Sequence, residues 1–394
     1  MSQIWNTNGK TVNPVVSDYT AGQDYLMDQE VFLPYDLQAS KAHVSMLVSI
    51  ELLTEGEGQE LNSALDEILS LWGAGEFQIK TEQEDCHTAI EAYLTDKLGD
   101  LGKKIHTARS RNDQSLVMLR LYEREQMDQL RKNIESLIST WSTWIKQFEN
   151  IEMPGYTHLQ RAMPTTLGLW LGSFQSAMTD LLMVQESIES LIDQNPLGSA
   201  AGFGVPMDID REVTKKELEF SKVQKNPIYC QFSRGFFEGM IVNHIVQVHT
   251  VLSRWASDLL LFTTKEFNFF DVDSSFTTSS SIMPQKKNQD VFELMRGRLG
   301  VVQGAALELQ SISGRLFSGY QRDLQLTKDP LVRSFEVIHA GLEIAALVTP
   351  AISPREGVLR SAMSEDLYAT HKVYELVKSG VPFREAYAKV KESL

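Results

Sequence analysis

Apolar side chains recur at helical spacing over long stretches of this chain. No Gly or Pro occurs from Asp113 to Glu152, and the apolar residues between Leu130 and Phe148 follow one another mostly at steps of three and four. This spacing places them on one face of a helix. The pattern therefore predicts a single helix of roughly nine turns at about 3.6 residues per turn.

Three further windows show the same spacing: Thr165 to Asn195, Met240 to Met283, and Asp290 to Leu326. Helices of this length would each expose a long apolar stripe in isolation, so they must pack together. No alternating pattern is long enough to anchor a sheet. The sequence therefore predicts an all-α fold with a central long-helix bundle, and stripes on several sides of each helix favour continuation of the bundle into neighbouring subunits.

The predicted organisation has three parts. We expect an N-terminal helical domain over residues 1–108, a bundle domain that forms the oligomer core over 109–349, and a short C-terminal helical domain over 350–394. The Trp and Met residues on the helical faces are most simply interpreted as bundle core.

Composition narrows the class of protein. The chain has 394 residues, of which 42% are hydrophobic and 23% charged, and its net charge is −15. This composition excludes a disordered chain, and the acidic excess argues against nucleic-acid binding. The longest uncharged stretch of note, Ala162 to Thr179, is interrupted by Pro and Gly, so no membrane span is expected. Two cysteines, Cys86 and Cys230, and a polar start without a signal-peptide pattern predict a cytoplasmic protein.

Polar segments between the predicted helices carry the candidate chemistry. His106 to Gln114 places Arg111 and Asn112 just before the long helix, where free backbone N–H groups favour an anion. A capping turn with Asn112 or Asp113 as the N-cap explains the same residues, and both interpretations are compatible. Pro154 to Pro164 is a proline-bounded connection that carries Thr157 and His158. A histidine in such a position is either structural or a candidate for proton transfer.

A glycine-rich segment, Asn195 to Gly204, could be mistaken for a dinucleotide-binding loop. The residues before it have helical periodicity, whereas such a loop follows a strand. We therefore expect no nucleotide cofactor.

The most unusual segment is Ser274 to Glu293. A Ser/Thr run of this kind is often a flexible linker, but a new helical pattern follows it directly. The run therefore brings hydroxyl groups, Lys286 and Asn288 to a helix N-terminus, which suits the binding of a carboxylate. Ser318 to Lys328 adds Tyr320 and Gln325 near another predicted helix end.

Metal-ligand spacing is not evident. Asp85 and His87 have no partner at the spacing of a zinc site, and His244 and His249 point to different faces of one helix. We expect neither a metal nor a cofactor.

The segments HTARSRND, PGYTHLQRAMP, NPLGSAAGFG and SSSIMPQKKN resemble, in order and over most of the chain, the argininosuccinate lyase family of the fumarase and aspartase superfamily. The resemblance implies an all-helical three-domain fold and a homotetramer whose active sites take residues from three subunits. It also implies cleavage of argininosuccinate to arginine and fumarate, the last step of arginine biosynthesis, without cofactor or metal. The C-terminal domain is expected to be short.

The resemblance also implies residue roles. Ser280 resembles the general base, with Ser281 as an adjacent alternative, and Lys286 stabilises the charge that develops in the reaction. His158 resembles the residue that assists protonation of the leaving nitrogen, with Glu293 holding its imidazole. The remaining positions resemble substrate contacts, and they are Ser40, Arg111, Asn112, Thr157, Asn288, Tyr320, Gln325 and Lys328.

Several positions depart from the family pattern, and they are Met163, Gln289, Gln321, Leu326 and Thr327, together with Ile4, Trp5 and Asn6 near the start of the chain. They leave two alternatives open beside argininosuccinate cleavage. The first is a lyase that acts on a related succinyl-amine. The second is a catalytically silent structural homologue of the delta-crystallin kind. The lyase interpretation is favoured because all the residues assigned to catalysis are present.

Overall fold

The computed structural model describes residues 13–394. The polar start of the chain, on which the expectation of no signal peptide rests, lies outside the described residues. The described part is built mainly from helices, and its strands pair only in twos. This confirms the predicted all-α class.

Sixteen α-helices are present in the described residues. In chain order they are α1 (Pro14–Ala21), α2 (Asp24–Met27), α3 (Leu33–Ser49), α4 (Glu55–Gly73), α5 (Cys86–Leu98), α6 (Asp100–Lys104), α7 (Arg111–Phe148), α8 (Leu167–Ile192), α9 (Arg211–Glu217), α10 (Pro227–Ser233), α11 (Phe236–Phe262), α12 (Asp290–Ser313), α13 (Lys328–Val348), α14 (Glu356–Ala362), α15 (Ala369–Lys378) and α16 (Phe383–Glu392).

The strands are short and form four two-stranded ladders. They are β1 (Glu152–Thr157), β2 (Gln160–Thr166), β3 (Gln194–Asn195), β4 (Lys222–Val223), β5 (Phe270–Val272), β6 (Thr278–Ser279), β7 (Lys287–Asn288) and β8 (Ile352–Pro354). The pairs β1–β2, β5–β8 and β6–β7 are antiparallel, and β3–β4 is parallel.

The chain forms two compact units, each assembled from three separate stretches. Unit 1 comprises the described part of Met1–Gln129 together with Gln185–His244 and Val302–Phe335, and unit 2 comprises Leu130–Val184, Ile245–Val301 and Glu336–Leu394. The five long helices α7, α8, α11, α12 and α13 each contribute residues to both units. The expected division into domains at residues 108 and 349 stays a prediction.

Helix α7 has 38 residues and confirms the helix predicted from Asp113 onward. Leu130, Ile134 and Trp141 on its apolar stripe are fully buried. Its first turn differs from the expectation, because the residue before the helix is Ser110. The Ser110 hydroxyl accepts from the Asn112 N–H at 3.3 Å, and the Asp113 carboxylate accepts from the Ser110 N–H at 2.9 Å. The prediction of Asn112 or Asp113 as the N-cap was therefore wrong, since both already lie in the first helical turn.

Helix α8 confirms the window from Thr165 to Asn195, but the other two windows are helical only in part. Helix α11 ends at Phe262, where the hydroxyls of Thr263 and Thr264 bond back to carbonyls of its last turn. Threonine side chains compete in this way for backbone hydrogen bonds and weaken a helix. Helix α12 ends at Ser313, directly before Gly314. The helical predictions for the remainder of these windows were wrong.

Aromatic side chains fill the interior of unit 2. The rings of Trp141 and Trp255 lie 5.5 Å apart, and Trp170 stacks on Phe270 at 5.2 Å. Both Trp141 and Trp255 are buried, which confirms the interpretation of the tryptophans as core. In unit 1 a separate apolar cluster joins α3 to the first half of α7. This packing fixes the N-terminal end of α7, where several candidate site residues lie.

Among the described residues, none of the helices combines the length and the apolar composition that crossing a bilayer requires.

Candidate active site

The residues assigned from the sequence fall into two groups, one in each unit. The group in unit 1 comprises Ser40, Arg111, Asn112, Tyr320, Gln325 and Lys328. The group in unit 2 comprises Thr157, His158, Ser280, Lys286, Asn288 and Glu293.

A cavity in unit 1 brings four of its six assigned residues together. Arg111, Asn112, Tyr320 and Gln325 all line it, although some 200 residues of sequence separate the first pair from the second. The other lining residues are Asp24, Glu84, Asp85, Ser115, Arg234 and Arg322. The cavity is therefore lined by three arginines and three carboxylates, which suits a ligand that carries both signs of charge.

Ion pairs hold two of the three arginines of this cavity in place. Arg111 lies with Nη1 2.9 Å from Asp85 Oδ2 and 3.5 Å from Glu84 Oε2. Arg322 Nη2 lies 3.3 Å from the same Glu84 oxygen and donates to the Thr20 carbonyl at 2.9 Å. Burial opposes the charge of Arg111, but the two carboxylates outweigh it and raise the pKa of the guanidinium. These arginines are held in place by the protein before any ligand binds.

Arg234 also lines the cavity, and sequence reasoning missed it. The residue is only 3% exposed, and its guanidinium carbon lies 5.8 Å from the centre of the Tyr320 ring. Within the described part of the chain its Nε has no hydrogen-bond partner. The sequence did contain a signal for Arg234, because this residue lies just before the apolar helix α11. Arginine is the side chain that most often recognises anionic groups.

Asp113 ties two of the recognised segments together. Its carboxylate accepts from the backbone N–H groups of Ser110, Gly198 and Ala200, each at 2.9 Å. Burial raises the pKa of Asp113, although the three N–H groups act in the opposite direction. The segment from Asn195 to Gly204 is thus a support for the start of α7.

A second cavity of about 400 Å³ in unit 1 shares Arg111 and Asn112 with the first. Arg109 lines it and donates from Nη1 to the Ser40 hydroxyl at 3.0 Å. Ser40 has no exposed surface. In this arrangement Ser40 positions Arg109, and direct contact of Ser40 with substrate stays a prediction.

Lys328 is likewise buried, with 1% of its surface exposed. Its ammonium group lies 2.6 Å from Asp28 Oδ1 and 3.0 Å from Asp24 Oδ1. Burial lowers the pKa of Lys328, but the two carboxylates outweigh it and the pKa lies above its ordinary value. Asp24 lines the cavity, so Lys328 contacts a lining residue, and its own contact with substrate stays a prediction.

Asp36, Cys86 and His87 form the one group of metal-ligand side chains found among the described residues. The imidazole already has both nitrogens engaged, with Nδ1 2.7 Å from Asp36 Oδ2 and Nε2 2.9 Å from the Ser115 hydroxyl. Burial opposes a charge on His87, but Asp36 holds its pKa above the ordinary value. The group is therefore organised as a buried hydrogen-bonded pair that orients Ser115 at the edge of the cavity.

In unit 2, Thr157 and His158 lie at the end of the β1–β2 hairpin. The connection between α7 and α8 was expected to be a loop, and it is instead a pair of antiparallel strands closed by His158 and Leu159. These two residues have φ values of +52° and +59°, which are unfavourable for residues other than glycine. Thr157 and His158 are both exposed, so the hairpin presents them to the outside of the unit.

Ser280 lies in the loop between β6 and β7. Its hydroxyl oxygen accepts from the backbone N–H groups of Ile282 at 3.3 Å and Met283 at 3.1 Å. Two N–H groups that converge on one oxygen stabilise negative charge there. Lys286 is exposed in the same loop, and the Asn288 amide donates to the Thr278 hydroxyl at 3.3 Å.

Glu293 lies in the first turn of α12 and is exposed. In the described residues of one chain, neither a hydrogen bond nor an ion pair joins its carboxylate to the His158 imidazole. The assigned pairing of these two residues stays a prediction.

Comparison with known proteins identifies the family of this chain. A family model described as Lyase matches residues 16–304. Argininosuccinate lyase of Thermotoga neapolitana is 43% identical over 390 residues, which covers 99% of this chain and 98% of that protein. The chain belongs to the argininosuccinate lyase family. The argininosuccinate lyase of Sorangium cellulosum is 44% identical over 98% of this chain and 90% of its own length.

The fold of this chain is also found in solved structures of other enzymes. EDDS lyase in complex with formate superposes with a TM-score of 0.80 at 25% identity, covering 97% of this chain and 76% of that one. Class II fumarase of Schistosoma mansoni has a TM-score of 0.78 at 14% identity over 95% of this chain and 91% of its own, and it shows the fold alone. The family member described here is a carbon–nitrogen lyase with the fold of the fumarase and aspartase superfamily, as its motifs predicted.

Proposed function

We propose that this chain cleaves argininosuccinate to arginine and fumarate by β-elimination, as the last step of arginine biosynthesis. Relatives named argininosuccinate lyase match almost the whole length of this chain. The observation that carries the chemistry is the pair of backbone N–H groups on the Ser280 oxygen.

The elimination begins with removal of a proton from carbon beside a carboxylate. A serine hydroxyl is a very poor base unless its alkoxide is stabilised. The N–H groups of Ile282 and Met283 point at the oxygen that would carry this charge, and Ser281 has no comparable pair of donors among the described residues. Ser280 is therefore the general base in this proposal. Lys286 and Asn288 stabilise the second negative charge that develops on the substrate carboxylate.

The second step is protonation of the departing guanidinium nitrogen. We assign it to His158, held by Glu293, with Thr157 binding a substrate carboxylate. The exposed hairpin end supports this assignment, because a histidine presented to the outside is able to reach a site completed by another subunit.

The charged cavity of unit 1 suits the amino-acid end of argininosuccinate. That end carries an ammonium and a carboxylate close together, and the cavity offers carboxylates from Glu84 and Asp85 beside the guanidinium of Arg234. Arg111, Asn112, Tyr320 and Gln325 complete the proposed contacts.

Assembly as a homotetramer with active sites shared between subunits is part of the proposal. Large apolar side chains are exposed along two of the long helices, at Leu169 and Met183 on α8 and at Leu294 and Leu307 on α12. Exposed apolar faces of this kind mark contact surfaces between protein chains. We also place the enzyme in the cytoplasm, since Cys86 and Cys230 are both free.

One assay tests the proposed function. Purified protein is incubated with argininosuccinate, and fumarate is followed by its ultraviolet absorbance while light scattering measures the assembly. We expect fumarate release by a tetramer. A folded tetramer that releases none contradicts the proposal, and a parallel panel with adenylosuccinate and aspartate then separates a lyase of different specificity from a silent homologue.

A further inference from the structure

A group of three charged side chains in unit 1 is completely buried and lies outside the proposed site. They are Arg120 and Glu123 on α7 and Glu238 on α11, each with no exposed surface. Arg120 Nη1 donates to Glu123 Oε2 at 2.5 Å. The group therefore sets one cation against two carboxylates in a dry interior, where an uncompensated charge is expensive.

Two oxygens of this group need a donor. Glu123 Oε1 and Glu238 Oε1 are both buried, and neither has a hydrogen-bond partner among the described residues. A proton held by Glu123 balances the charges of the group and also supplies a donor that its two carboxyl groups can share. The thiol of Cys230 on α10 also lies near this cluster: burial raises its pKa, and the charges of Arg211 and Arg120 lower it.

The same group forms hydrogen bonds with the residues on both sides of Arg234. Arg120 Nη2 donates to the Ser233 hydroxyl at 2.9 Å and to its carbonyl at 3.4 Å. On the other side, the Gly235 N–H donates to Glu238 Oε2 at 2.7 Å. Arg234 itself lines the charged cavity.

The turn at Gly235 leaves this backbone little freedom to relax. Gly235 has a φ of +79°, and a side-chain carbon there would lie 2.8 Å from the Ser313 Cβ. The backbone position of Arg234 is therefore set by the bonds to Ser233 and Gly235.

We propose that Arg120, Glu123 and Glu238 form a proton-sharing triad that positions Arg234 for substrate binding, so that loss of the shared proton weakens binding at alkaline pH. The three are positioning residues, and the proposal rests on the proposed function because Arg234 is taken to hold a carboxylate of the substrate.

The shared proton is lost within a measurable range. Burial raises the pKa of Glu123 to about 8, with Arg120 lowering it and Glu238 raising it. Above that pH the triad carries a second buried negative charge. Repulsion between Glu123 and Glu238 then strains the hydrogen bond that Glu238 accepts from the Gly235 N–H. The expected consequence is a rise in KM for argininosuccinate above about pH 8, with a much smaller change in kcat.

Glu123→Gln tests the triad, because the glutamine amide is neutral and donates as the protonated carboxyl does. In the unmodified enzyme we expect the ratio of KM at pH 9 to KM at pH 7 to be about fivefold or more. In Glu123→Gln we expect a ratio near one. The matched control is Glu135→Gln, an exposed position on the same helix, which is expected to keep the unmodified ratio.

Ser233→Ala tests the link to Arg234 and leaves all three charges in place. It removes the hydroxyl that accepts from Arg120, and we expect KM at pH 7 to rise about three- to tenfold with kcat within about twofold. Two results would overturn the proposal: a KM ratio in Glu123→Gln equal to that of the control, or a loss in Ser233→Ala that appears in kcat alone.

An infrared measurement separates this proposal from the proposed function. At pH 7 the difference spectrum between the unmodified protein and Glu123→Gln should contain the carbonyl band of a protonated carboxyl group, whatever the substrate is. Absence of the band refutes proton sharing. A protein that shows the band and yet releases no fumarate from argininosuccinate contradicts the proposed function.

Discussion

At the scale of single residues, burial and hydrogen bonding separate side chains that look alike in the sequence. Ser280 and Ser281 are neighbours in a serine run, but the two backbone N–H donors at the start of the following turn converge on Ser280. Lys286 and Lys328 both lie in recognised segments, yet the first is exposed and the second is enclosed by two carboxylates. These contacts support our proposal of Ser280 as the base, and they separate Lys328 from the exposed Lys286.

Replacement of Ser280 by alanine tests the base. We expect Ser280→Ala to lower kcat by about 10²- to 10⁴-fold, the usual contribution of general-base catalysis. Binding of argininosuccinate, measured by calorimetry, should stay within a few-fold of the unmodified protein, because no charge is removed. Ser281→Ala is the matched control and should retain most of its activity. Near-normal turnover by Ser280→Ala combined with loss in Ser281→Ala would assign the base to Ser281.

At the scale of elements, the N-terminus of α7 is fixed by Asp113 rather than by the helix alone. The carboxylate joins the turn before α7 to the segment from Asn195 to Gly204 through three backbone N–H groups. Buried N–H groups that lose their acceptor each cost about 1–3 kcal/mol. The position of Arg111 and Asn112 in the cavity therefore depends on a residue that does not line it.

Asp113→Ala tests this dependence. We expect the free energy of unfolding to fall by about 2–4 kcal/mol, since one buried and two part-buried N–H groups lose their partner and part of the loss is recovered by local relaxation. Denaturant titration followed by circular dichroism measures the change. Glu135→Ala, an exposed acidic position on the same helix, should change it by less than about 0.5 kcal/mol. Equal effects from the two variants would show that the contacts of Asp113 do not stabilise the two loops.

At the scale of the whole molecule, net charge is a poor guide to binding. The chain carries −15, with 13 acidic residues against two lysines between Glu51 and Asp100. The cavity of unit 1 nevertheless presents three arginines, of which Arg111 and Arg322 share the carboxylate of Glu84. Because three carboxylates share this lining, the cavity offers partners for both an anionic and a cationic group of a substrate, while the surface charge acts mainly on solubility.

Sharing of active sites between subunits is testable by complementation. His158→Ala and Ser280→Ala should each be inactive as a homotetramer. If His158 and Ser280 of one site come from different chains, mixed tetramers contain some sites with neither substitution. We then expect partial recovery of fumarate release after the two variants are unfolded and reassembled together. Mixed tetramers that stay inactive would indicate sites built within one chain.

Local sequence patterns were sufficient where local forces decide the structure. Helices α7 and α8 follow from apolar periodicity, because the side chains that define their buried faces lie three and four residues apart. The same reasoning predicted a helix that continues beyond the end of α11. A window free of Gly and Pro does not reveal that the hydroxyls of Thr263 and Thr264 bond back to carbonyls of the helix. The same reasoning also missed the β1–β2 hairpin, whose two short strands contain prolines and show no clear alternation.

The sequence by itself determined the all-α class, the family and the residue types available for chemistry, because these depend on spacing and on motifs within a few residues. Only the tertiary structure decided which of those residues meet. Arg234 joins Arg111 and Tyr320 in one cavity, Lys328 is enclosed by Asp24 and Asp28, and the buried triad reaches Arg234 through its backbone neighbours. These partners are separated by up to about 300 residues of sequence. Only packing of the helices brings such partners within hydrogen-bonding distance, so no local pattern records them.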